Sequence, residues 1–260
     1  MVQQKKLICI TLDIEKDYGY FDTYYALNNI DILLKLIKKY NIKITVFLVG
    51  YLIKERKDII EKFKSVPVEF ALHSYYHDIK NKDSVFKRQE VIKAKEVYLD
   101  FFKKQPLGYR APQGAITRAE IMELIRLGFK YDCSLFPYWR PGLYNNLNIP
   151  TRPFFLSSEL MEIPLSVLPV IRFPISLSYI QFFGWKFYKF FLKFFGWPSL
   201  IVFDMHLHNL KKVRSLRGAP WFSRIFYIRN QNNGFKILEE FIKLTKSKGY
   251  KSIFVSELNV

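Results

Sequence analysis

The chain has 260 residues, of which 50% are hydrophobic and 18% aromatic, enough to bury one large α/β core. Lys and Arg number 41 against 23 Asp and Glu, so the formal net charge is +18. A chain this basic attracts polyanions such as nucleic acid, anionic lipid headgroups or phosphate-bearing substrates, and the balance does not choose among them. We expect no signal peptide, because the polar start leads at once into a strand-like run. We also expect no membrane-spanning helix, because lysines interrupt the apolar stretch at 173–203.

The two cysteines, Cys9 and Cys133, are far apart in the sequence and form no metal or redox motif. This pattern is typical of a reducing, intracellular setting. We therefore predict a cytoplasmic protein, either free or peripheral on the inner face of the membrane.

Apolar runs rich in β-branched residues alternate with segments of helical periodicity along the whole chain. Strands are predicted at 7–12, 42–50, 66–72, 130–134, 161–164, 198–208 and 251–255, with a strand end at 108–114. Helices are predicted at 30–37, 54–64, 84–104, 117–127 and 232–248. About seven βα units predict a parallel sheet that is closed, or nearly closed, into a barrel. No linker or repeat divides the chain, so we predict a single domain over residues 1–260.

Ionisable side chains stand at the C-terminal ends of several predicted strands. In a parallel barrel these ends lie on one face, so residues far apart in sequence would meet around one cavity. Charges kept there for solubility alone are the alternative reading. The residues concerned are Asp13, Glu15, His73, His77, Arg110, Asp132, His206 and His208.

The pair His73 and His77 is the most informative of these. On one helical turn, residues four apart share a face, so two imidazoles could converge on one cation. Two histidines and a carboxylate form a recurrent set for zinc or iron. The spacing alone also arises by chance, and a partly buried histidine often only satisfies a backbone carbonyl.

Several motifs, in order, give the chain a resemblance to the metal-dependent polysaccharide deacetylases, a carbohydrate esterase family. The run at 11–15 is similar to the family's opening Thr-Phe-Asp-Asp motif, and residues 73–77 match its His-Ser/Thr-x-x-His motif. Residues 110–114 match Arg-x-Pro-x-Gly, 131–134 resemble Asp-Ser-Trp, and 203–206 resemble the last strand with its histidine. The resemblance implies a distorted, incomplete parallel (β/α)7 barrel.

The resemblance also implies a divalent metal held by Glu15, His73 and His77. Zn²⁺ is the expected ion, with Co²⁺, Ni²⁺ and Fe²⁺ as alternatives. The family's adjacent Asp-Asp is replaced here by Asp13 and Glu15, two residues apart, which lie on the same face of an extended strand. Asp17 is a lesser candidate for the carboxylate ligand.

The same resemblance assigns the remaining roles. Asp13 would be the general base and Arg110 would orient it. His206 would be the general acid, with His208 as the second candidate, and Asp132 would orient it. Substrate contacts are expected from Tyr76, Pro112, Gln113 and Gly114.

A basic, aromatic insertion is predicted at about 171–229. Within it, lysines three and four residues apart would lie on one helical face among Phe and Trp, which suits a helix in a membrane interface. A buried helix with a basic solvent stripe is the alternative, and an Arg- and aromatic-rich run at 213–229 could add a second patch. The expected membrane contacts are Trp185, Lys186, Lys189, Phe190, Lys193 and Trp197.

The residues together predict a metal-dependent hydrolase that removes an N-acyl group, first of all N-acetyl, from an amino sugar on a lipid-linked or membrane-proximal glycan. One alternative is a non-catalytic basic protein that binds glycan or nucleic acid on the same fold. Another is a deformylase or deacylase of a different lipid-linked or small amide. The catalytic reading predicts an amino-sugar or lipid-linked glycan substrate, a possible anionic membrane surface as partner, and no nucleic acid.

Overall fold

The computed structural model describes residues 5–81 and 83–258. The ends of the predicted single domain, residues 1–4 and 259–260, and residue 82 lie outside the described residues. The strands are β1 Leu7–Ile14, β2 Ile44–Leu48, β3 Val68–Leu72, β4 Gly108–Tyr109, β5 Tyr131–Asp132, β6 Trp139–Arg140, β7 Tyr144–Asn145, β8 Phe154–Phe155, β9 Met161–Glu162, β10 Leu200–His206 and β11 Lys251–Ser252. The helices are α1 Ile30–Tyr40, α2 Gly50–Glu55, α3 Lys57–Phe63, α4 Ser84–Phe102, α5 Arg118–Arg126, α6 Leu177–Phe183, α7 Trp185–Phe194, α8 Leu207–Leu210, α9 Trp221–Ile228 and α10 Gly234–Ser247.

The main sheet runs in the order β10-β1-β2-β3-β4-β5-β9-β8. The first seven strands of this order are parallel, β8 pairs antiparallel with β9, and β11 lies parallel to the start of β1. The segment after β9 lies alongside β10, where the Ser166 N–H donates to the Val202 carbonyl at 3.1 Å. The sheet is therefore a curled, incompletely closed barrel, and the predicted distorted (β/α)7 fold is confirmed.

Strand β1 shows how the sequence builds the two sides of this sheet. Its residues Ile8, Ile10, Leu12 and Ile14 pack in the large core between sheet and helices, where the inner faces of the helices also lie. Cys9, on the opposite side, joins a smaller cluster inside the barrel. Because side chains alternate along a strand, Thr11 and Asp13 also point into the barrel.

Local sequence signals explain several helix boundaries. Thr117 and Glu120 form the capping box at the start of α5, with the Glu120 N–H donating to Thr117 Oγ1 at 3.2 Å. The predicted Thr117 cap is confirmed. Helix α1 ends at its C-terminus with Asn41, which adopts the left-handed conformation that Asn tolerates well.

The structure corrects the sequence predictions at two helices. The charged helix predicted at 54–64 is two helices, α2 and α3, with a break at Arg56, whose backbone is not helical. The lysines expected on one helix do lie together on α7, and the insertion contains a second helix, α6, that was not predicted. Gly184, at φ 92°, separates the two. Within the described residues, no helix combines the length and hydropathy that crossing a bilayer requires.

Candidate active site

The register between β1 and β10 brings polar side chains from the two halves of the chain together. Asp13 lies opposite His206, and Thr11 lies opposite Asp204. Since residues two apart on a strand share a face, all four side chains project to the same side of the sheet. Strand β3 ends at Leu72, directly before His73, so the first metal-motif histidine enters at the same edge.

Glu15, His73 and His77 form a compact buried cluster. His73 Nε2 lies 3.3 Å from Glu15 Oε2, and His77 Nε2 approaches the same oxygen. The two histidines do not share a helical turn, which corrects that part of the expectation. They converge through a loop in which Ser74 and His77 adopt left-handed backbone conformations, φ 57° and 58°. The His77 N–H donates to Ser74 Oγ at 2.9 Å and closes this loop.

The cluster fits a divalent cation. The Nδ1–H of His73 donates to the Arg110 carbonyl at 2.8 Å, which fixes the tautomer and leaves Nε2 as a lone-pair donor facing Glu15. Both ring nitrogens of His77 are buried: Nδ1 has no hydrogen-bond partner among the described residues, and Nε2 lies against Glu15. One ligand atom from each of the three residues lies within 4.8 Å of the others. Two imidazoles and a carboxylate in this arrangement are a suitable donor set for Zn²⁺.

Glu15 is held as a carboxylate. Burial alone would raise its pKa, but His77 and His206, with hydrogen bonds from His73 and His77, hold the pKa of Glu15 well below its usual range. An ionised carboxylate is the form that ligates a metal. The predicted ligand set of Glu15, His73 and His77 is thus brought together by the structure.

Arg110 is buried beside the cluster and joins two carboxylates. Its Nη1 donates to Asp13 Oδ1 at 2.6 Å, to Asp204 Oδ1 at 2.9 Å and to Thr11 Oγ1 at 3.0 Å. Its guanidinium also lies over the ring of Phe47, at 4.1 Å from the centroid. Burial lowers the pKa of Arg110, but Asp13 and Asp204 raise it above the ordinary value, so the charge is retained. Arg110 is therefore placed to hold Asp13, as predicted, and also Asp204.

His206 occupies the position predicted for the general acid. Its Nε2 lies 3.8 Å from Asp13 Oδ2 and 3.7 Å from Glu15 Oε1, and its side chain is 20% exposed, so a substrate can reach it. Burial opposes protonation, but Asp204, Glu15 and Asp13 raise the pKa of His206 above its ordinary value. A histidine that holds its proton is suited to protonate a leaving group.

His208, the second candidate for the acid, has a different role. Its Nδ1 accepts the Tyr18 N–H at 3.2 Å, and its ring packs against Tyr18 and Tyr227. Burial, together with the nearby His206, lowers the pKa of His208 to about 3. His208 is therefore neutral and structural, which favours His206 as the acid.

Asp132 does not orient His206. Its Oδ1 accepts a hydrogen bond from Ser134 Oγ at 2.6 Å, and strand pairing sets it beside Glu162. The carboxylate nearest to the other imidazole nitrogen is that of Asp204, whose Oδ2 lies 3.8 Å from His206 Nδ1. This corrects the prediction. Sequence reasoning gave Asp204 no role, although it stands two residues before His206, the same spacing that links Asp13 to Glu15.

Asp17, the lesser candidate for the carboxylate ligand, lies outside the cluster. Its Oδ2 accepts from Thr23 Oγ1 at 2.6 Å and from the Tyr25 N–H at 2.9 Å, and Oδ1 accepts from the Ala26 N–H at 2.9 Å. Both oxygens are used to close the loop after β1, so Asp17 is not a ligand.

The predicted substrate contacts lie around the cluster on two loops. Tyr76 is 45% exposed, and its N–H donates to Glu90 at 2.7 Å. Pro112–Gly114 forms a tight turn in which Gln113 and Gly114 have positive φ. A Cβ on Gly114 would meet the Phe136 ring at 2.6 Å, so this turn requires glycine. Their contact with a substrate stays a prediction.

The predicted membrane contacts divide into two groups. Trp185 and Trp197 are half-buried, packed against Phe241 and Tyr250 respectively, and line a groove of about 870 Å³ between α7 and α10. Contact of either tryptophan with a bilayer stays a prediction. The other four residues are exposed along α7: Lys186, Lys189, Phe190 and Lys193.

The sequence profile described as "Polysaccharide deacetylase" matches residues 3–131. The chain is 33% identical over 106 residues to a peptidoglycan deacetylase of Helicobacter pylori, a match that covers 40% of this chain and 36% of that relative. The chain thus spans about a third of the length of that curated relative.

Two solved structures extend the likeness to the whole fold. The structure of a "putative polysaccharide deacetylase" from Mycobacterium smegmatis superposes with a TM-score of 0.66 at 17% identity, covering 99% of this chain and 90% of the other. A CE4 family pseudoenzyme from Bacillus anthracis superposes with a TM-score of 0.55 at 15% identity, covering 98% and 65%. At such identities the likeness concerns the fold alone.

The chain belongs to the polysaccharide deacetylase family. The resemblance drawn from its motifs is confirmed. Because a pseudoenzyme shares the fold, catalysis has to be argued from the residues of this chain's own site.

Proposed function

We propose that this chain is a metal-dependent hydrolase that removes an N-acyl group, first of all N-acetyl, from an amino sugar. The observation that carries the proposal is the convergence of Glu15, His73 and His77 beside Asp13 and His206. A ligand set, a base and an acid on one face of a barrel are the parts that hydrolysis of an amide needs.

A bound Zn²⁺ would supply a Lewis acid for the acyl carbonyl and lower the pKa of water. Asp13 accepts the proton of the attacking water, and Arg110 Nη1 holds Asp13 in place by donating a hydrogen bond to its Oδ1 at 2.6 Å. His206 donates its proton to the departing amine as the C–N bond breaks, with Asp204 behind its other nitrogen. The products are a carboxylic acid and a free amino group, so the atoms of one water are consumed.

The alternative of a non-catalytic glycan- or nucleic-acid-binding protein is weaker. Binding alone does not require a buried His77 whose Nε2 lies against Glu15, nor a buried Arg110 between two carboxylates. A deformylase or deacylase of a different small or lipid-linked amide uses the same residues and remains an outcome of the assay below. The amino-sugar substrate is supported by the family.

The finer proposal is that the amino sugar is carried by a lipid at a membrane surface. Its support is helix α7, on which Lys186, Lys189 and Lys193 are exposed next to Phe190. Lysines attract anionic headgroups, and aromatic rings favour the interface. A cytoplasmic location on the inner face of the membrane belongs to this proposal.

The test is mass spectrometry of acyl loss with added Zn²⁺, on lipid-linked N-acetylhexosamines and on soluble N-acetylated oligosaccharides. We expect loss of one acetyl group and release of acetate by the wild-type protein. His73→Ala should lose both bound metal and acyl release, since it removes a buried ligand. Wild-type protein that takes up no divalent ion and releases no acyl group from any tested amide would refute the proposal.

A further inference from the structure

Helix α9 rests with its inner face on the candidate active site. Ser223 is buried, and its hydroxyl donates to the Tyr20 hydroxyl at 3.0 Å. The ring of Tyr227 lies 5.3 Å from the ring of His208 and 5.1 Å from that of Tyr18. His208 in turn stacks on His206 at 5.0 Å. The helix is thus two side chains away from the proposed acid.

The outer face of α9 exposes three large apolar side chains. Trp221 is 73% exposed, Ile225 55% and Ile228 60%. Residues at i, i+4 and i+7 form one stripe of a helix, so the three point the same way. An apolar stripe of this kind on the surface marks an interaction site.

The chain around this stripe carries charge of one sign. From residue 163 to 238 the only acidic residue is Asp204, which is buried in the site with Arg110. Basic residues are frequent in the same span, and several of those after β10 are exposed and close to α9 in sequence. The basic residues of the whole span are Arg172, Lys186, Lys189, Lys193, Lys211, Lys212, Arg214, Arg217, Arg224, Arg229 and Lys236.

We infer that α9, with the loop 211–220 before it, is a docking surface for an anionic lipid bilayer. Exposed Arg224 and Arg229 would meet the headgroups, while Trp221, Ile225 and Ile228 enter the interface. Isoleucine has neither a hydrogen-bonding group nor an aromatic face, so the stripe suits acyl chains better than a polysaccharide or nucleic acid. The exposed Phe190 and Phe194 of α7 repeat this combination of apolar and basic side chains.

The consequence for the site is geometric. Because the inner face of α9 packs against His208, which stacks on His206, docking of its outer face would hold the catalytic residues near the headgroup layer. The docking surface rests on the proposed function only in taking this site as the active site. The substrate would then be an amino sugar whose carrier lipid stays in the bilayer. Binding to lipid can be measured without any turnover.

Flotation with vesicles tests the surface. Wild-type protein should float with vesicles of phosphatidylglycerol mixed with phosphatidylcholine and not with pure phosphatidylcholine vesicles. The double variant Ile225→Asp with Ile228→Asp should bind the anionic vesicles at least about tenfold more weakly, because two charges would enter the interface. The matched control is Val85→Asp with Met122→Asp, which places the same charges on equally exposed apolar positions of α4 and α5. It should bind within about twofold of wild type.

Three results would overturn the inference: no flotation of wild-type protein with anionic vesicles, equal flotation of the Ile225→Asp, Ile228→Asp variant, or equal losses in both double variants. Complete competition by dextran sulfate, with no effect of the Ile variants, would show general polyanion attraction and would also overturn it. Bound zinc and the melting temperature of each variant establish that it is folded. Protein that floats with the vesicles but releases no acyl group would refute the proposed function and not the docking surface. Protein that releases the acyl group but does not float would refute only the docking surface.

Discussion

The guanidinium of Arg110 is shared by two buried carboxyl groups. Asp13 and Asp204 both accept from its Nη1, and the carboxylate of Glu15 lies close by with a lowered pKa. Burial, together with the charge of Asp13, raises the pKa of Asp204 above its ordinary value, so the carboxyl groups of this site compete for the positive charge of Arg110. A divalent ion held by Glu15, His73 and His77 would add positive charge beside them.

Asp13→Asn should separate metal binding from turnover. The amide keeps the size of the side chain and leaves Glu15, His73 and His77 intact, so bound zinc should stay near the wild-type level. Turnover should fall by roughly 10²- to 10⁴-fold, the usual contribution of a general base. Metal analysis and acetate release measure the two effects. Asp22→Asn, at an exposed carboxylate paired with Lys16, is the control and should retain both. Retained turnover in Asp13→Asn would contradict the role of Asp13 as the general base.

Asp204→Asn tests which carboxylate orients His206. Since Asp204 lies 3.8 Å from His206 Nδ1, we expect its amide variant to lower kcat by about 10- to 100-fold with a smaller change in KM. Asp132→Asn is the matched comparison and should change kcat by less than about threefold, because Asp132 contacts Ser134 and Glu162. A larger loss of kcat in Asp132→Asn than in Asp204→Asn would show that Asp132 orients His206.

At the scale of elements, the short strands β5 and β9 set two carboxyl groups side by side. Asp132 and Glu162 are paired in register, both are fully buried, and each has one oxygen without a hydrogen-bond partner among the described atoms. Burial raises the pKa of Asp132 to about 6, and burial together with the charge of Asp132 raises the pKa of Glu162 well above its ordinary value. The pair therefore holds at least one proton near neutrality.

This pair should make folding pH-dependent. A raised pKa means that the folded state binds the proton more tightly than the unfolded chain, so the stabilisation is complete below about pH 4 and is lost as the pH rises through about 6. Asp132→Asn is neutral at every pH. Its free energy of unfolding relative to wild type should rise between pH 5 and pH 8, by on the order of 1–3 kcal/mol. Denaturant titrations at both pH values measure it, with Asp22→Asn as a variant expected to show no such rise. A pH-independent difference would contradict the shared proton.

Element boundaries also show what the sequence could and could not predict. Alternation and helical periodicity located β1, β3, β10, α1, α4 and α10, because these elements bury one face against the sheet. The conformation of the loop at 73–77 could not be predicted, since it depends on left-handed backbone at Ser74 and His77, which residues other than glycine rarely adopt. The break at Gly184 was missed because aromatic residues continue the amphipathic pattern on both sides.

At the scale of the whole molecule, the proposed metal ligands follow two separate strands. Glu15 directly follows β1, while His73 and His77 follow β3. A bound ion would therefore cross-link the sheet and should stabilise it by RT ln(1 + [L]/Kd), about 2.7 kcal/mol at a hundredfold excess over Kd. Chelation should lower the melting temperature of zinc-loaded wild type, measured by calorimetry, and leave that of His77→Ala unchanged. An equal drop in both proteins would place the stabilising ion elsewhere.

Motif order along the chain predicted most of the site, because strand ends in a parallel barrel share one edge. It brought Glu15, His73, His77, Arg110 and His206 to the right place. What it missed, the orienting contact of Asp204, depends on the lateral register of β1 against β10. Sequence reasoning has no access to register between strands so far apart.

That register has a consequence for the order in which the protein folds. The hydroxyl of Thr11 donates a hydrogen bond to the carbonyl of Phe203, 192 residues later. The other edge of β1 pairs with β2, which comes from the same N-terminal region. As the chain is synthesised, one edge of β1 stays unpaired until β10 arrives, and a long apolar edge invites pairing with other chains. Contacts of such long sequence separation also slow folding. A ribosome-bound chain ending before β10 would thus already hold its metal ligands, but it would lack the acid and expose the edge most prone to aggregation.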